Sequence, residues 1–309
     1  MATLTLPTPT DSTYVFATLK KFVVAYDFSP SAETALGYAL DLAVRQHAEV
    51  ILVHAQDCQA TAGRADGQET VQNIPLDLEA RLEGIAERSR KQGIDAQYLV
   101  KAGAPAETLR QAVTDLRPSI LFLGAYGNNR LDRKILGSTA ESLLRTLPCP
   151  VVTIGPKSVK RDVKLNQRPK VICPIDFPED VQGRLNVIAR FAKTMGADVE
   201  VIHAVDVCHT YSRPHSAADI QYNFDLLVEH LLREGVAAQS TLLFGVPELV
   251  ISERARAVNA HYIMFGLHKI GSFSSYFRKS LVAKVIKNAP CAILTYAQAV
   301  QADSQERGR

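Results

Sequence analysis

Gly124, Gly127 and Gly137, with Ser138 and Thr139 directly after, spell the pattern G-x2-G-x9-G-S/T. Residues of these types at this spacing suit one kind of chemistry, the cradling of a phosphate. Two glycines just past a strand end let the backbone approach a bound group closely and reach positive φ. Gly137-Ser138-Thr139 would open a helix, whose unsatisfied N–H groups and positive dipole end attract an anion. The Ser138 and Thr139 hydroxyls can add donors. The nine residues between Gly127 and Gly137 read as a flap over that site. Its Arg130, Arg133 and Lys134 face either phosphates or, on the simpler reading, solvent. Asp27 is the second candidate. It sits at the carboxyl end of an apolar run and could accept from a ribose hydroxyl or help hold a metal. The plainer role is an Asp that ends a strand and caps the following turn. Beside the glycine pattern, the site reading is the preferred one.

Among the elements that must carry these residues, Phe22–Tyr26 is a short apolar run, predicted to be a buried strand. Ser29-Pro30-Ser31 predicts a helix start, with Pro in the first turn and Glu33 nearby, and the helix runs to about Gln46. Further strands are expected at Val50–His54, Ala96–Val100, Ser119–Leu123 and Val151–Ile154. Helices are expected at Pro75–Lys91, Pro105–Leu116 and Ser138–Leu147. Strict alternation of strand and helix implies right-handed crossovers and a parallel sheet covered on both faces. In the common 3-2-1-4-5 strand order, ligands bind at the carboxyl ends of strands one and four, where the order reverses. Asp27 and Gly124 lie on those two strands, so the topology would bring them to one crevice.

The chain contains this unit twice. Asp27 and Asp176 end similar runs, and His54 and His203 end similar strands; each pair is 149 residues apart. Gly103-Ala104-Pro105 matches Gly245-Val246-Pro247, Gly124 matches Gly266, and Pro148-Cys149 matches Pro290-Cys291, all 142 apart. One seven-residue length change near the second helix accounts for both offsets. The expected organisation is an arm at 1–19, a first domain at 20–155, a basic linker at 156–169, a second domain at 170–297 and a tail at 298–309. In the second domain strands are expected near Val171–Ile175, Val199–Val205, Ala238–Leu243, Tyr262–Phe265 and Ala292–Tyr296. The Thr- and Pro-rich arm reads as loose, with Tyr14 and Phe16 as packing contacts. The fold class is therefore α/β, two tandem doubly wound five-stranded parallel-sheet domains of Rossmann-like type.

Composition excludes several alternatives. The 309 residues are 47% hydrophobic and 22% charged, with a net charge of +3, so extended disorder, collagen and coiled-coil classes do not fit. So small a charge does not by itself imply a nucleic-acid or membrane partner. No apolar run reaches the ~18 residues of a membrane-spanning helix, and the N-terminus lacks the pattern of a secretory signal. The five cysteines (Cys58, Cys149, Cys173, Cys208, Cys291) are odd in number and widely spaced. That predicts free thiols in a reducing cytoplasm rather than disulfides or a cysteine zinc site.

Both copies resemble universal stress protein domains. The likeness is carried by Ala25-Tyr26-Asp27-Phe28-Ser29-Pro30-Ser31, by the strand ending His54-Ala55 and by the run from Gly124 to Ser138. The resemblance implies an adenine-nucleotide-binding domain of the adenine nucleotide alpha hydrolase-like fold, acting in stress survival and usually dimeric through the fifth strands. It implies that Ala25, Asp27 and Ala55 flank the adenine, and that Gly124, Gly127, Gly137, Ser138 and Thr139 form the phosphate loop. The ligand implied is ATP, with or without Mg²⁺. A tandem chain could pair its fifth strands internally, through Val151–Ile154 and Ala292–Tyr296, as a pseudo-dimer that either stays monomeric or forms a homodimer through another face.

The second copy departs from the pattern. Lys269 stands where the first has Gly127, Lys279 where it has Gly137, and Leu281 where it has Thr139; Gly266 and Ser280 remain. A lysine does not readily take a glycine-only conformation, and its side chain would project into the phosphate position. Asp176 persists, but Pro178-Glu179-Asp180 replaces Ser29-Pro30-Ser31 and adds two carboxylates. The second copy is therefore expected to bind ATP weakly or not at all. Cys208, His209 and His215, near His203 and Asp206, match no zinc spacing and read as a polar loop. His54 and His203 read as locally hydrogen-bonded strand-end residues. No G-x-S-x-G, G-x-G-x-x-G or Walker pattern is found. No catalytic or metal-ligating residue is assigned. The leading function is an ATP-binding module acting through nucleotide-dependent contacts. The rivals are a slow ATPase or nucleotide-transferring enzyme in the same crevice, and an interaction protein with both crevices empty.

Overall fold

Ser29 shows how the sequence starts an element. Its extended backbone (φ −75°, ψ 156°) precedes Pro30 in the first turn, and its hydroxyl accepts from the Ala32 N–H. The computed structural model describes residues 16, 19–56, 76–127, 136–159, 167–175, 181–206, 217–267 and 281–297. Its first half runs β1 (Lys21–Ala25), α1 (Pro30–Gln46), β2 (Glu49–Gln56), α2 (Leu76–Lys91), β3 (Ala96–Ala102), α3 (Pro105–Leu116), β4 (Ile120–Gly124), α4 (Ser138–Thr146), β5 (Val151–Ile154). The second half repeats the order: β6 (Lys170–Pro174), α5 (Val181–Met195), β7 (Asp198–Val205), α6 (Ala217–Arg233), β8 (Ala238–Phe244), α7 (Pro247–Ala257), β9 (Tyr262–Leu267), α8 (Leu281–Asn288), β10 (Ala292–Ala297).

All ten strands form one sheet, in the order β3-β2-β1-β4-β5-β10-β9-β6-β7-β8. Each half is parallel with the expected 3-2-1-4-5 order. The halves join where β5 and β10 pair antiparallel, with Thr153 opposite Ile293, Val152 opposite Leu294 and Val151 opposite Thr295. Strand side chains alternate between two cores. Phe22 and Val24 of β1 face the core formed with α1, α2, α5 and α6, while Val23 faces the core formed with α3, α4, α7 and α8. Burial on both faces explains why the strands read as unbroken apolar runs.

The halves are also tied outside the sheet. Tyr38 of α1 meets Tyr262 of β9 edge-on at 5.8 Å, and its hydroxyl donates to the Val159 carbonyl at 3.2 Å. The Ser158 hydroxyl donates to the Cys291 carbonyl at 2.9 Å. Gly155 has to be glycine because a Cβ there would collide with the Ile286 carbonyl. The end of the arm is not loose. Phe16 and Leu19 are buried, and the Phe16 ring packs at 4.9 Å on Phe191 and at 6.3 Å on Tyr296 of the second half. Packing against an aromatic pocket outweighs the Thr- and Pro-rich composition there. Tyr14 lies outside the described residues.

One buried contrast separates the halves. Glu200 of β7 is 5% exposed and accepts from Thr241 Oγ1 at 2.5 Å and Arg254 Nε at 2.8 Å. The matching positions of the first half, Ile51, Leu99 and Ala112, belong to its apolar core.

Candidate functional site

β1 ends at Ala25, and Asp27 follows two residues later on an exposed turn. Its two carboxylate oxygens do different things. Oδ1 accepts from the Ser29 N–H at 3.0 Å, the turn-capping role. Oδ2 faces the glycine loop: a Cβ added to Gly127 would stand 3.0 Å from it. The strand order thus brings Asp27 and Gly127 together across the β1–β4 switch point, and Asp27 caps its turn while its second oxygen faces the glycine loop.

The loop after β4 is fitted to this turn. A Cβ on Gly124 would come within 2.8 Å of Ser31 Cβ. The Ser31 hydroxyl donates to the Tyr126 carbonyl at 2.5 Å and lies 3.1 Å from Ser29 Oγ. Gly137 closes the far end. Its N–H donates to the Ala125 carbonyl at 2.9 Å, and a Cβ there would lie 3.1 Å from that oxygen. None of these three glycines has a positive φ; among the described residues the left-handed glycines are Gly93, Gly103, Gly196, Gly235 and Gly245. Close approach, not backbone conformation, requires glycine at 124 and leaves little room for a Cβ at 127 and 137, and the expectation of positive φ is corrected accordingly.

Gly137 is also the N-cap of α4 and makes no side-chain cap bond. The first turn of α4, with Ser138 exposed and Thr139 half-buried, therefore presents N–H groups and a positive dipole end toward the loop. Glu141 in this turn is largely buried and faces Arg145 at 3.5 Å. Ala25 and Ala55 are half-buried near the carboxyl ends of β1 and β2. Arg130, Arg133 and Lys134 lie outside the described residues, as do Asp176, Pro178, Glu179, Asp180, Lys269, Lys279, Ser280, Cys58, Cys208, His209 and His215.

A wall of side chains stands behind Asp27. Phe28 has φ +61°, uncommon for a bulky residue and a mark of a turn held by its surroundings. Its ring meets Tyr26 at 5.0 Å and His54 at 5.5 Å, and the Arg81 guanidinium of α2 lies 4.0 Å over its face. The Tyr26 hydroxyl donates to Glu33, and burial, then this carboxylate, pushes the phenol well above its usual range. His54 Nδ1 lies 2.7 Å from the Tyr26 carbonyl, and the matching His203 Nδ1 lies 2.9 Å from the Ile175 carbonyl. Both histidines have the local structural role expected of them. Tyr126 carries a buried hydroxyl with no partner among the described residues, and burial raises its pKa.

The contacts of Ser31, Phe28 and Arg81 are not visible in the sequence. Ser31 was absorbed into the helix start that Ser29 and Pro30 signal. Only the fold shows that the second serine of that start reaches a carbonyl 95 residues away. Nothing in the one-dimensional pattern marks the Arg81–Phe28 stack.

Comparison with known proteins agrees with this architecture. The model of the Universal stress protein family matches residues 18–155 and again 168–296. A Staphylococcus saprophyticus protein described as a universal stress protein is 27% identical over 151 residues, covering 47% of this chain and 89% of its own length. The crystal structure of a universal stress protein from Archaeoglobus fulgidus superposes with a TM-score of 0.67 at 19% identity, covering 90% of this chain and 98% of that one. A Pseudomonas aeruginosa structure described in the same terms gives 0.61 at 16% identity, covering 92% and 95%. At these identities the structural likeness speaks for the fold.

Proposed function

This chain belongs to the universal stress protein family in tandem form, and from that premise we propose that its first domain is an ATP-binding module acting through nucleotide-dependent contacts. The observation that carries the reading is the fit of the glycine loop: Gly127 against Asp27 Oδ2, Gly137 against the Ala125 carbonyl, and the uncapped first turn of α4 beside them. The triphosphate lies along Gly124, Gly127 and Gly137 and meets the N–H groups and hydroxyls of Ser138 and Thr139. Asp27 accepts from the ribose or approaches a Mg²⁺ that accompanies the phosphates, and Ala25 and Ala55 flank the adenine. Small side chains at those two strand ends leave room for a planar base.

The second domain carries no ATP in this reading. Lys279 takes the position of Gly137, where in the first domain an added Cβ would stand 3.1 Å from the Ala125 carbonyl oxygen. Hydrolysis would need a water-positioning base and charge neutralisation at the γ-phosphate, to which Asp27 could contribute only through a metal. A cytoplasmic setting suits Cys149, Cys173 and Cys291, which are thiols and not disulfides. Among the described residues no helix is long and apolar enough to cross a membrane.

The test is to purify the chain without added nucleotide, denature it, and identify what is released by anion-exchange chromatography and mass spectrometry. About one ATP per chain is the result expected. ADP or AMP in its place, with turnover on added ATP, would move the assignment to a hydrolase.

A further inference from the structure

We propose that Ser31 is a positioning residue of the nucleotide site, which sets the Tyr126–Gly127 peptide so that the glycine loop can receive phosphate. The inference rests on the nucleotide reading of the first domain. Ser31 is half-buried in the first turn of α1 and donates to the Tyr126 carbonyl at 2.5 Å. A trans peptide directs its carbonyl and its N–H to opposite sides. Holding the Tyr126 carbonyl against α1 therefore turns the Gly127 N–H away from Ser31. The neighbouring peptide is held as well, because the Ala125 carbonyl accepts from Gly137 N–H at 2.9 Å. Two successive carbonyls of the loop are thus tied back, one to α1 and one to the start of α4.

The clamp is continuous with Asp27. Asp27 Oδ1 accepts from Ser29 N–H at 3.0 Å, and Ser29 Oγ lies 3.1 Å from Ser31 Oγ. Gly124 is glycine for the same reason, since a Cβ there would strike Ser31. The duplication makes the point from the other side. The second copy has Asp180 at the position of Ser31. An ionised carboxylate accepts and does not donate, so it cannot tie back a carbonyl. Loss of this clamp is then a cause of a silent second crevice in addition to the two lysines.

The test compares the full chain with Ser31→Ala and Ser31→Asp, titrated calorimetrically with ATP and with adenosine. Alanine removes the donor without adding bulk against Gly124. Ser31→Ala should weaken ATP by about tenfold, the scale of one hydrogen bond that orders a loop, and adenosine by less than about twofold. Ser31→Asp should abolish ATP binding. An unchanged ATP affinity, or equal losses for ATP and adenosine, would overturn the positioning role while leaving the nucleotide site standing. Hydrogen exchange of residues 124–127 in the nucleotide-free chain reads the clamp without any ligand. Faster exchange in Ser31→Ala supports the clamp, and unchanged exchange overturns it, even if the wild-type chain were to bind no nucleotide.

Discussion

Val152 and Leu294 face each other across the junction of β5 and β10, and they are the same position of the two copies, 142 residues apart. The flanking pairs, Val151 with Thr295 and Thr153 with Ile293, exchange under the same offset. A pseudo-two-fold axis therefore passes through the Val152–Leu294 pair. This is the isologous geometry of a homodimer, realised within one chain. It consumes the two edges that separate domains would expose, leaving β3 and β8 as the ends of the sheet.

The junction should be essential to stability. Leu294 is fully buried there, so Leu294→Asp places a carboxylate among apolar side chains with no partner. A loss of about 3 kcal/mol or more is expected in urea unfolding. A loss below about 1 kcal/mol would show that the two halves do not depend on this seam.

The Glu200 cluster should behave as a set. Arg254→Ala strands a buried carboxylate and should cost about 2–3 kcal/mol, less than the ~3–5 of a fully buried pair because Arg254 is partly exposed. The triple change Glu200→Ile, Thr241→Leu, Arg254→Ala installs the apolar set of the first half, Ile51, Leu99 and Ala112, and should recover most of that loss. Denaturation midpoints of the single and triple variants decide it; equal losses in both would contradict the substitution logic.

Alkaline pH should destabilise the fold. Burial pushes the Cys149 thiol from 9.0 up to about 12. Burial pushes Tyr26, Tyr262 and Tyr296 the same way. A thiol that holds its proton longer when folded leaves the native state binding more protons than the unfolded chain between those pH values. Stability is therefore level below about pH 9 and falls as the pH rises toward 12. The same neutral thiol should react slowly with maleimide at pH 7.5 in the native chain and rapidly once unfolded. Fast native labelling of Cys149, read by mass spectrometry, would contradict this.

Much of this architecture was legible before any coordinates. The duplication and the succession of strands and helices follow from apolar runs, turn residues and two constant offsets, and the common 3-2-1-4-5 order then brings Asp27 to the glycine loop. These are local patterns repeated, and repetition makes them hard to misread. Ser31 was not legible, because its partner is the backbone of a loop that only the folded sheet brings near. Nor was the reason for the glycines, since pattern alone cannot distinguish a positive φ from a close approach. The buried Glu200 was equally hidden: an acidic residue inside an apolar strand discloses its partners, Thr241 and Arg254, only when β8 and α7 pack beside it.

The central claim is a single ATP site in the first half of the chain. Calorimetric titration of the full chain with ATP and Mg²⁺ tests it most directly, alongside Gly137→Lys, which places the second copy's residue against the Ala125 carbonyl. The account predicts one ATP per wild-type chain and none for the variant. Two ATP per chain, no binding to the wild type, or undiminished binding to Gly137→Lys would contradict it.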